Sequence, residues 1–231
     1  TLSSSSAASD VYKRQSFFFA PLFDSFQLLS MQTAVDVDKM TALGIAPAKV
    51  CALGNLKIDA ALPGFKTASC RDKAPLALPT GRTIIVIGST HPGEEKILAG
   101  CLVALRRDFP GIFVVLAPRN IERAPEIAAL FQGLGFSVAR RSEYGTSRQG
   151  HDLLLIDTMG ELVAFYEQAD LVFVGGSLVP FGGHNPLEPA AFGKPVLFGP
   201  HMEDFADIVR EMLAEDAARQ VGDVDELRQA M

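Results

Sequence analysis

The chain is poor in the residues that mark several protein classes. It has no tryptophan, and its three cysteines lack the paired spacing of a zinc site or a disulfide framework. We therefore expect free thiols in a reducing, cytoplasmic compartment. Residues 17–23 form an apolar run, but Pro21 interrupts it and it falls far short of the roughly 20 residues that a membrane helix needs. These absences argue against a disulfide scaffold and a transmembrane segment.

Basic charge is also scarce. The 231 residues include 21 Lys and Arg against 27 Asp and Glu, which gives a net charge of -6, and the basic residues are scattered. Because duplex binding requires a clustered basic face, we do not expect a nucleic-acid partner. The length and the 48% hydrophobic content allow a substantial core, in one large domain or two small ones.

The order of the predicted elements indicates the fold. Short apolar runs alternate with helical patterns, which is typical of a Rossmann-like, doubly wound parallel α/β sheet. Strands are predicted at residues 25–30, 50–53, 83–87, 112–117, 137–140, 153–156, 171–174 and 195–198. Helices are predicted at residues 34–43, 94–107, 124–133, 162–168, 186–192 and 204–213.

Composition divides the chain into four segments. Residues 1–15 are rich in Ser and Ala without a hydrophobic period, so we expect them to be non-native and disordered. Residues 16–60 are predicted to end a first α/β domain, and the proline- and glycine-containing residues 61–82 to be a linker. Residues 83–231 form a second domain. We expect both ends of the chain to be cuts in a longer protein.

Polar residues follow four of the predicted strands. They occupy residues 88–95 (GSTHPGEE), 117–120 (APRN), 157–161 (DTMGE) and 175–190, the last being rich in glycine. In an open α/β sheet, ligands bind beyond the carboxyl ends of the strands. Because those ends share one edge of a parallel sheet, the four segments together predict one binding site.

The segment after residues 171–174 carries the strongest signals. Its four glycines, which permit positive φ or close approach of a ligand, are Gly175, Gly176, Gly182 and Gly183. Asn185 is predicted to cap a helix, with Pro186 in the first helical position and Glu188 where a capping-box carboxylate lies. The free N–H groups of this helix would then face an anionic ligand.

Five ordered motifs point to a known family. They are GNLKIDA (residues 54–60), GSTHPGEE (88–95), APR (117–119), DTMGEL (157–162) and FVGGSLVPFGGHNPLEPA (173–190). Together they resemble the 3-deoxy-D-manno-octulosonic acid (Kdo) transferases of lipopolysaccharide biosynthesis over most of residues 24–231. The resemblance implies a GT-B glycosyltransferase, truncated at both ends, with a carboxyl-terminal nucleotide-sugar donor-binding domain and the end of an amino-terminal acceptor domain.

The resemblance also implies an activity. It is the transfer of Kdo from CMP-Kdo to a lipid A precursor (lipid IVA) at the cytoplasmic face of the inner membrane of a Gram-negative bacterium, with no metal or other cofactor. In the family the catalytic base is a glutamate near the start of the amino-terminal domain, ahead of the part present here. The chain alone is therefore expected to bind the donor without turnover, and membrane association is expected through the amino-terminal domain.

The family's motifs assign site residues. Those that match CMP-binding positions are Pro118, Arg119, Met159, Gly160, Glu161, Asn185, Pro186, Leu187 and Glu188. Those expected to support the site are Ser89, Thr90, His91, Gly175, Gly176, Gly182, Gly183 and His184. An arginine fork suits a phosphate or a sugar carboxylate, and CMP-Kdo carries both.

The chain departs from the family's pattern at two places. Asn120 and Ile121 follow the APR motif where the family has His and Pro, and Asp204 stands where it has Asn. A polar contact after Arg119 and a hydrogen-bond donor at residue 204 are in doubt as a result.

Local interpretations compete with the functional ones. Glu161 and Glu188 suit capping alone, and Arg119 suits a solvated surface. Loop hydrogen bonding is favoured over metal binding for His91 and His184, because no further ligand lies at zinc spacing.

Glu94 and Glu95 are best explained as first-turn residues favoured by the helix dipole.

Two other functions compete. One is a UDP-sugar epimerase type of enzyme, which would bind uracil rather than cytosine. The other is a non-catalytic nucleotide-binding module. A dinucleotide oxidoreductase is disfavoured because no G-x-G-x-x-G opens the first regular unit, where Ser89 and Thr90 follow Gly88.

Overall fold

The computed structural model describes residues 19–54, 78–143 and 150–231. Predictions for residues 1–15, for residues 61–77 of the linker and for the GNLKIDA motif beyond Gly54 lie outside these ranges. The chain divides into two compact units, Thr1–Ala60 and Ala61–Met231. The predicted domain boundaries themselves stay a prediction.

The first unit contains a two-stranded parallel sheet. Its elements are β1 (Leu29–Met31), α1 (Ala34–Ala42) and β2 (Val50–Ala52). Thr33 caps α1, because its side chain accepts a hydrogen bond from the N–H of Asp36 at 3.2 Å. The strand expected at residues 25–30 begins later, since the N–H groups of Ser25 and Phe26 close the turn after a helix at residues 19–24.

The second unit alternates strands with helices as expected. Its strands are β3 (Thr83–Thr90), β4 (Ile112–Pro118), β5 (Val138–Arg140), β6 (Leu153–Leu155), β7 (Leu171–Val174), β8 (Val196–Phe198) and β9 (Arg219–Gln220). Its helices are α2 (Glu94–Asp108), α3 (Ala124–Gly133), α4 (Leu162–Gln168), α5 (Leu187–Ala190), α6 (Ala206–Ala214) and α7 (Val224–Ala230).

The described strands of the second unit form one seven-stranded sheet in the order β5-β6-β4-β3-β7-β8-β9. Every pairing in it is parallel. From β3 the chain adds β4, β6 and β5 on one side, with β5 at the edge, and from β7 it adds β8 and β9 on the other, so the topological switch point lies between β3 and β7. The Rossmann-like, doubly wound parallel fold predicted from the sequence is confirmed.

Apolar side chains cover both faces of the sheet. Along β3, Ile85 and Ile87 join a core with α2, α3 and α7, whereas Ile84 and Val86 join the opposite core with α4 and α6. This period-two division explains why the strands read as continuous apolar runs.

The main differences from the sequence prediction lie toward the carboxyl end. The strand β9 was not predicted, because two residues are too few to show a period. The helix predicted at residues 204–213 is a 3-10 turn, Glu203–Phe205, followed by α6. None of the described helices combines the length and apolarity that crossing a membrane requires.

Candidate functional site

The four polar segments lie at one edge of the sheet. They follow β6, β4, β3 and β7, which are consecutive neighbours in a fully parallel arrangement. Their carboxyl ends therefore meet, as the sequence predicted, with the switch point between β3 and β7 at the centre.

The end of β3 carries a local distortion. Ser89 has φ +60°, which is uncommon for a residue other than glycine, and the register with β4 shifts between Gly88 and Thr90. Beyond the shift, the backbone carbonyl of Thr90 accepts a hydrogen bond from the N–H of Arg119 at 2.9 Å. This bond joins the two strand ends directly beside the predicted site.

Glu94, at the start of α2, is fully buried, with 0% of its surface exposed. Its carboxylate accepts four backbone N–H groups, one from His91 at 2.9 Å and three from the loop after β7: Gly176 at 2.7 Å, Ser177 at 2.9 Å and Leu178 at 2.9 Å. The sequence interpretation as a first-turn dipole residue is therefore insufficient. The three-residue spacing to His91 was a usable signal, but the loop contacts depend on the tertiary fold.

Glu95 is buried through different contacts. It accepts a hydrogen bond from the Thr90 hydroxyl at 2.9 Å and a bidentate pair from the Arg123 guanidinium at 2.8 and 3.2 Å. The Glu95 hydrogen bond raises the pKa of Arg123. Sequence reasoning missed Arg123, which links the end of β3 to the start of α3.

The glycine-rich loop after β7 is bonded to its own surroundings. The N–H of Gly175 donates to the carbonyl of Gly88 at 2.8 Å, and that of Gly183 donates to Gly176 at 2.9 Å. Gly176 has φ +70°, and a Cβ there would lie 3.1 Å from the His184 ring and 3.3 Å from the His91 ring. The loop is thus a packed element against which both imidazoles rest.

His91 and His184 form a pair across the switch point. Their Nε2 atoms lie 2.9 Å apart and their rings stack at 5.1 Å, while Phe181 stacks on His91 at 4.2 Å. A contact of this kind needs one proton between the two nitrogens, so at most one ring can be charged while it persists. The preference for loop hydrogen bonding over metal binding stays a prediction.

Burial disfavours the charged form of both imidazoles. Burial lowers the pKa of His184 to about 4, and the charges of His91 and Arg119 act in the same direction. Burial also lowers the pKa of His91, against the opposing charge of Glu94.

Arg119 lies at the exposed end of β4. Pro118 before it is buried, whereas Arg119 and Asn120 are exposed. Among the described residues, the Arg119 guanidinium has no ion pair. Asn120 has a local role, since its side-chain oxygen accepts the N–H of Glu122 at 3.0 Å and caps the 3-10 turn Ile121–Arg123.

The segment after β6 places Met159 and Gly160 at the surface, with 63% of Met159 exposed. Glu161 binds inward instead, pairing with Arg141 at 2.9 Å and accepting the hydroxyl of Thr158. Helix α4 begins at Leu162 with Glu161 as its N-cap, so Glu161 does not lie at the third helical position that a capping box requires. Arg141 is a second residue that the sequence did not indicate.

The segment from Asn185 to Glu188 differs from the prediction. Helix α5 spans only Leu187–Ala190, with Pro186 as its N-cap rather than in its first turn. The Asn185 side-chain oxygen accepts the N–H of Leu187 at 3.1 Å, which forms a local turn. The capping-box interpretation of Glu188 is therefore wrong, and one short turn does not present a row of free N–H groups.

Glu188 is partly enclosed near α4. Burial raises its pKa, and a hydrogen bond from Asn185 opposes that shift. The charge of Glu188 adds to burial in raising the pKa of Tyr166, a buried residue of α4.

Asp204 lies beside the other glycines of the loop. Its N–H donates to the carbonyl of Gly182 at 3.1 Å, and a Cβ on Gly182 would lie 2.7 Å from its carboxylate. Gly183 packs against Met202. This departure from the family's pattern thus places a carboxylate next to the loop, where its charge opposes the lowering of the His184 pKa.

Metal-binding side chains do not gather in the part of the chain that the structure describes. No three His, Cys, Asp or Glu residues there form a group that could hold an ion.

Comparisons with known proteins identify relatives of both units. A family model described as 3-deoxy-D-manno-octulosonic-acid transferase (kdotransferase) matches residues 1–60. The match includes residues 1–15, whose interpretation as a non-native segment stays a prediction. The 3-deoxy-D-manno-octulosonic acid transferase of Bordetella pertussis is 40% identical over 174 residues, which cover 74% of this chain and 40% of that protein. The chain spans less than half the length of the curated relatives it matches.

Solved structures agree with this relationship. The crystal structure of the C-terminal CMP-Kdo binding domain of WaaA from Acinetobacter baumannii superposes with a TM-score of 0.62 and 32% identity, covering 65% of this chain and 78% of that one. UDP-GlcNAc 2-epimerase from Neisseria meningitidis shares the fold alone, with a TM-score of 0.56 and 17% identity over 88% of this chain and 51% of that one. The chain belongs to the family of 3-deoxy-D-manno-octulosonic acid transferases.

Proposed function

We propose that this chain carries the donor-binding part of a glycosyltransferase that moves Kdo from CMP-Kdo to a lipid A precursor in lipopolysaccharide biosynthesis. The observation that carries the proposal is the 32% identity to a CMP-Kdo binding domain, 78% of which this chain covers. The switch-point edge of the sheet supplies the matching location for a nucleotide ligand.

The proposed donor carries two anionic groups, a phosphate and a sugar carboxylate. Arg119 is an exposed cation at the edge, and its planar guanidinium suits bidentate binding of either group. Its proximity to His91 and His184, whose pKa values its charge lowers, places it beside the switch point. We assign Arg119 to the anionic part of the donor.

The remaining assignments concern the nucleoside. Glu188 offers carboxyl oxygens to the ribose hydroxyls, and its partial burial would strengthen such bonds. The exposed segment at Met159 and Gly160 offers backbone groups to the cytosine edge. Both roles follow the family's motif positions.

The chemistry is proposed to be inverting displacement without a metal, with cationic side chains stabilising the departing nucleotide. We assign the general base, expected to be a glutamate, and the acceptor site to the amino-terminal domain of the family's proteins. We propose a cytoplasmic location at the inner membrane, with membrane contact through that same part.

Calorimetry with CMP and UMP tests the donor assignment. We expect CMP to bind and to be preferred over UMP, and Arg119→Ala to weaken CMP binding by about 1–3 kcal/mol, since a charged hydrogen-bond partner is lost. Arg210→Ala, which removes an exposed arginine of α6 paired with Asp207, is the matched control and should leave binding unchanged.

Three outcomes would contradict the proposal. Equal or tighter binding of UMP would favour a UDP-sugar epimerase type of enzyme. Equal losses in the two arginine variants would remove Arg119 from the site. A fall in CMP affinity on adding a chelator would contradict the metal-free chemistry.

A further inference from the structure

The Glu94 carboxylate occupies an unusual position in the fold. Three consecutive N–H groups of the loop after β7, from Gly176 to Leu178, converge on its two oxygens at 2.7–2.9 Å. The carboxylate itself comes from α2, more than 80 residues earlier in the chain. Its fourth bond, to the N–H of His91, joins the same group to the end of β3.

Consecutive N–H groups that converge in this way form an anion-binding concavity. In many α/β proteins a ligand phosphate occupies such a place. Here the protein's own carboxylate occupies it, and Glu94 and Ser177 are both fully buried. A second anion at these N–H groups would have to displace Glu94 or lie against its charge in a low-dielectric interior.

We propose that Glu94 is a built-in anion that fills the N–H concavity of residues 176–178 and positions the loop and His91 for ligand binding. The donor phosphate is then bound by side chains at the edge, Arg119 foremost, and not by these three N–H groups. The statement about the donor rests on the proposed function, whereas the statement about the concavity does not.

The positioning role follows from the contacts around the loop. Gly176, one of the three donors, packs directly against both rings of the His91–His184 pair. His91 is held at its backbone by the same carboxylate. Glu94 therefore determines how both halves of the imidazole pair approach each other, next to the Arg119 charge.

Two substitutions and one control separate positioning from general stability. Glu94→Ala empties the concavity, and Glu94→Gln keeps its shape but turns an amide N–H₂ toward N–H donors. Glu211→Gln on α6, at an exposed position, is the control and should behave as wild type. We expect Glu94→Ala to lower the melting temperature by about 10 °C, because four N–H groups lose their acceptor.

Formate is the probe for the concavity. Added formate should raise the melting temperature of Glu94→Ala but not of wild type or Glu94→Gln, and should restore part of its lost CMP affinity. If Glu94→Ala folds and formate has no selective effect, the concavity does not bind anions and the proposal is overturned. The melting-temperature measurement with formate needs no nucleotide. If formate raises the melting temperature of Glu94→Ala but the wild-type chain does not bind CMP, only the proposed donor function is contradicted.

Nuclear magnetic resonance of the wild-type chain with CMP tests the second half. We expect no through-hydrogen-bond coupling between the phosphorus nucleus and the amide nitrogens of residues 176–178. Detection of such a coupling would show that the phosphate displaces Glu94, which would overturn the proposal even if the Glu94 variants fail to fold.

Discussion

The residues around β3 and β7 differ in construction from those after β4 and β6, although all four strands end at the same edge. Around β3 and β7, Glu94, Glu95 and the loop from Gly175 to Ser177 are buried and joined by hydrogen bonds. After β4 and β6, Arg119 and Met159 are exposed. We call the first region the packed half and the second the open rim.

The two regions differ in how many polar groups they leave for a ligand. In the packed half, backbone N–H groups and carboxylates already satisfy one another, so few polar groups are left for a ligand. The open rim has a cation at the surface and an exposed backbone. Glycine-rich sequence thus marks a packed scaffold, whereas Arg119 and Met159, which we propose for ligand binding, lie on the open rim.

The largest effect is expected from breaking the buried ion pair of the packed half. Arg123→Ala leaves the carboxylate of Glu95, only 2% exposed, without its bidentate partner. Because an uncompensated buried charge is costly, we expect the free energy of unfolding to fall by about 3–5 kcal/mol. Chemical denaturation measures this change.

An exposed pair provides the contrast. Arg210→Ala removes the partner of Asp207 at 2.7 Å, with both side chains largely exposed, and should cost less than about 1 kcal/mol. If Arg123→Ala and Arg210→Ala lower the free energy of unfolding by similar amounts, the buried ion pair stabilises the chain no more than the exposed pair does.

The second effect is the pH dependence of stability that arises from the His91–His184 pair. His184 protonates near pH 6.5 when unfolded, whereas burial lowers its pKa to about 4 in the folded chain. Between these values the unfolded chain binds more protons, so stability falls as pH drops through this window and levels off below it. The expected loss is up to about 3 kcal/mol.

Unfolding curves at several pH values test this linkage. His184→Asn should flatten the pH dependence of the free energy of unfolding between about pH 6.5 and pH 4. If His184→Asn keeps the wild-type slope, the imidazole pair does not carry the effect.

The smallest effect tests the close packing of the glycine loop. A Cβ on Gly175 would lie 2.7 Å from the carbonyl oxygen of Ser89 and 2.8 Å from that of Gly88, so backbone must move. We expect Gly175→Ala to lower the free energy of unfolding by about 1–3 kcal/mol.

Gly100 on α2 is the matched control, because nothing lies within 4 Å of a Cβ built there. Gly100→Ala should stabilise the chain by about 0.5–1 kcal/mol through helix propensity. A stabilising Gly175→Ala would mean that the loop is looser than its contacts indicate.

Much of the fold was predictable because its signals are local. The apolar runs of β3 and β4 and the helical periods of α2 and α3 lie within short windows, and their alternation allows few topologies. The prediction for the segment from Asn185 to Glu188 was wrong, because capping patterns do not reveal how short a helix will be. Its local Asx turn and α5 depend on packing that the pattern does not contain.

The site was predictable in location but not in construction. Parallel strands force the four segments to one edge, so the positions of Arg119, Met159 and the glycine loop followed from the sequence. The partners of Glu94 and Glu95 did not follow, because Gly176 lies 82 residues and Arg123 lies 28 residues away in the chain.

The sequence by itself determined the alternating α/β architecture, the common edge of the polar segments and, through its ordered motifs, the family. Tertiary structure alone decided that the glycine loop binds a protein carboxylate, that His91 and His184 face each other, and that Arg119 stays exposed. The physical reason is that periodicity reports local backbone preference, whereas the hydrogen-bond partner of a buried charge is chosen by long-range packing.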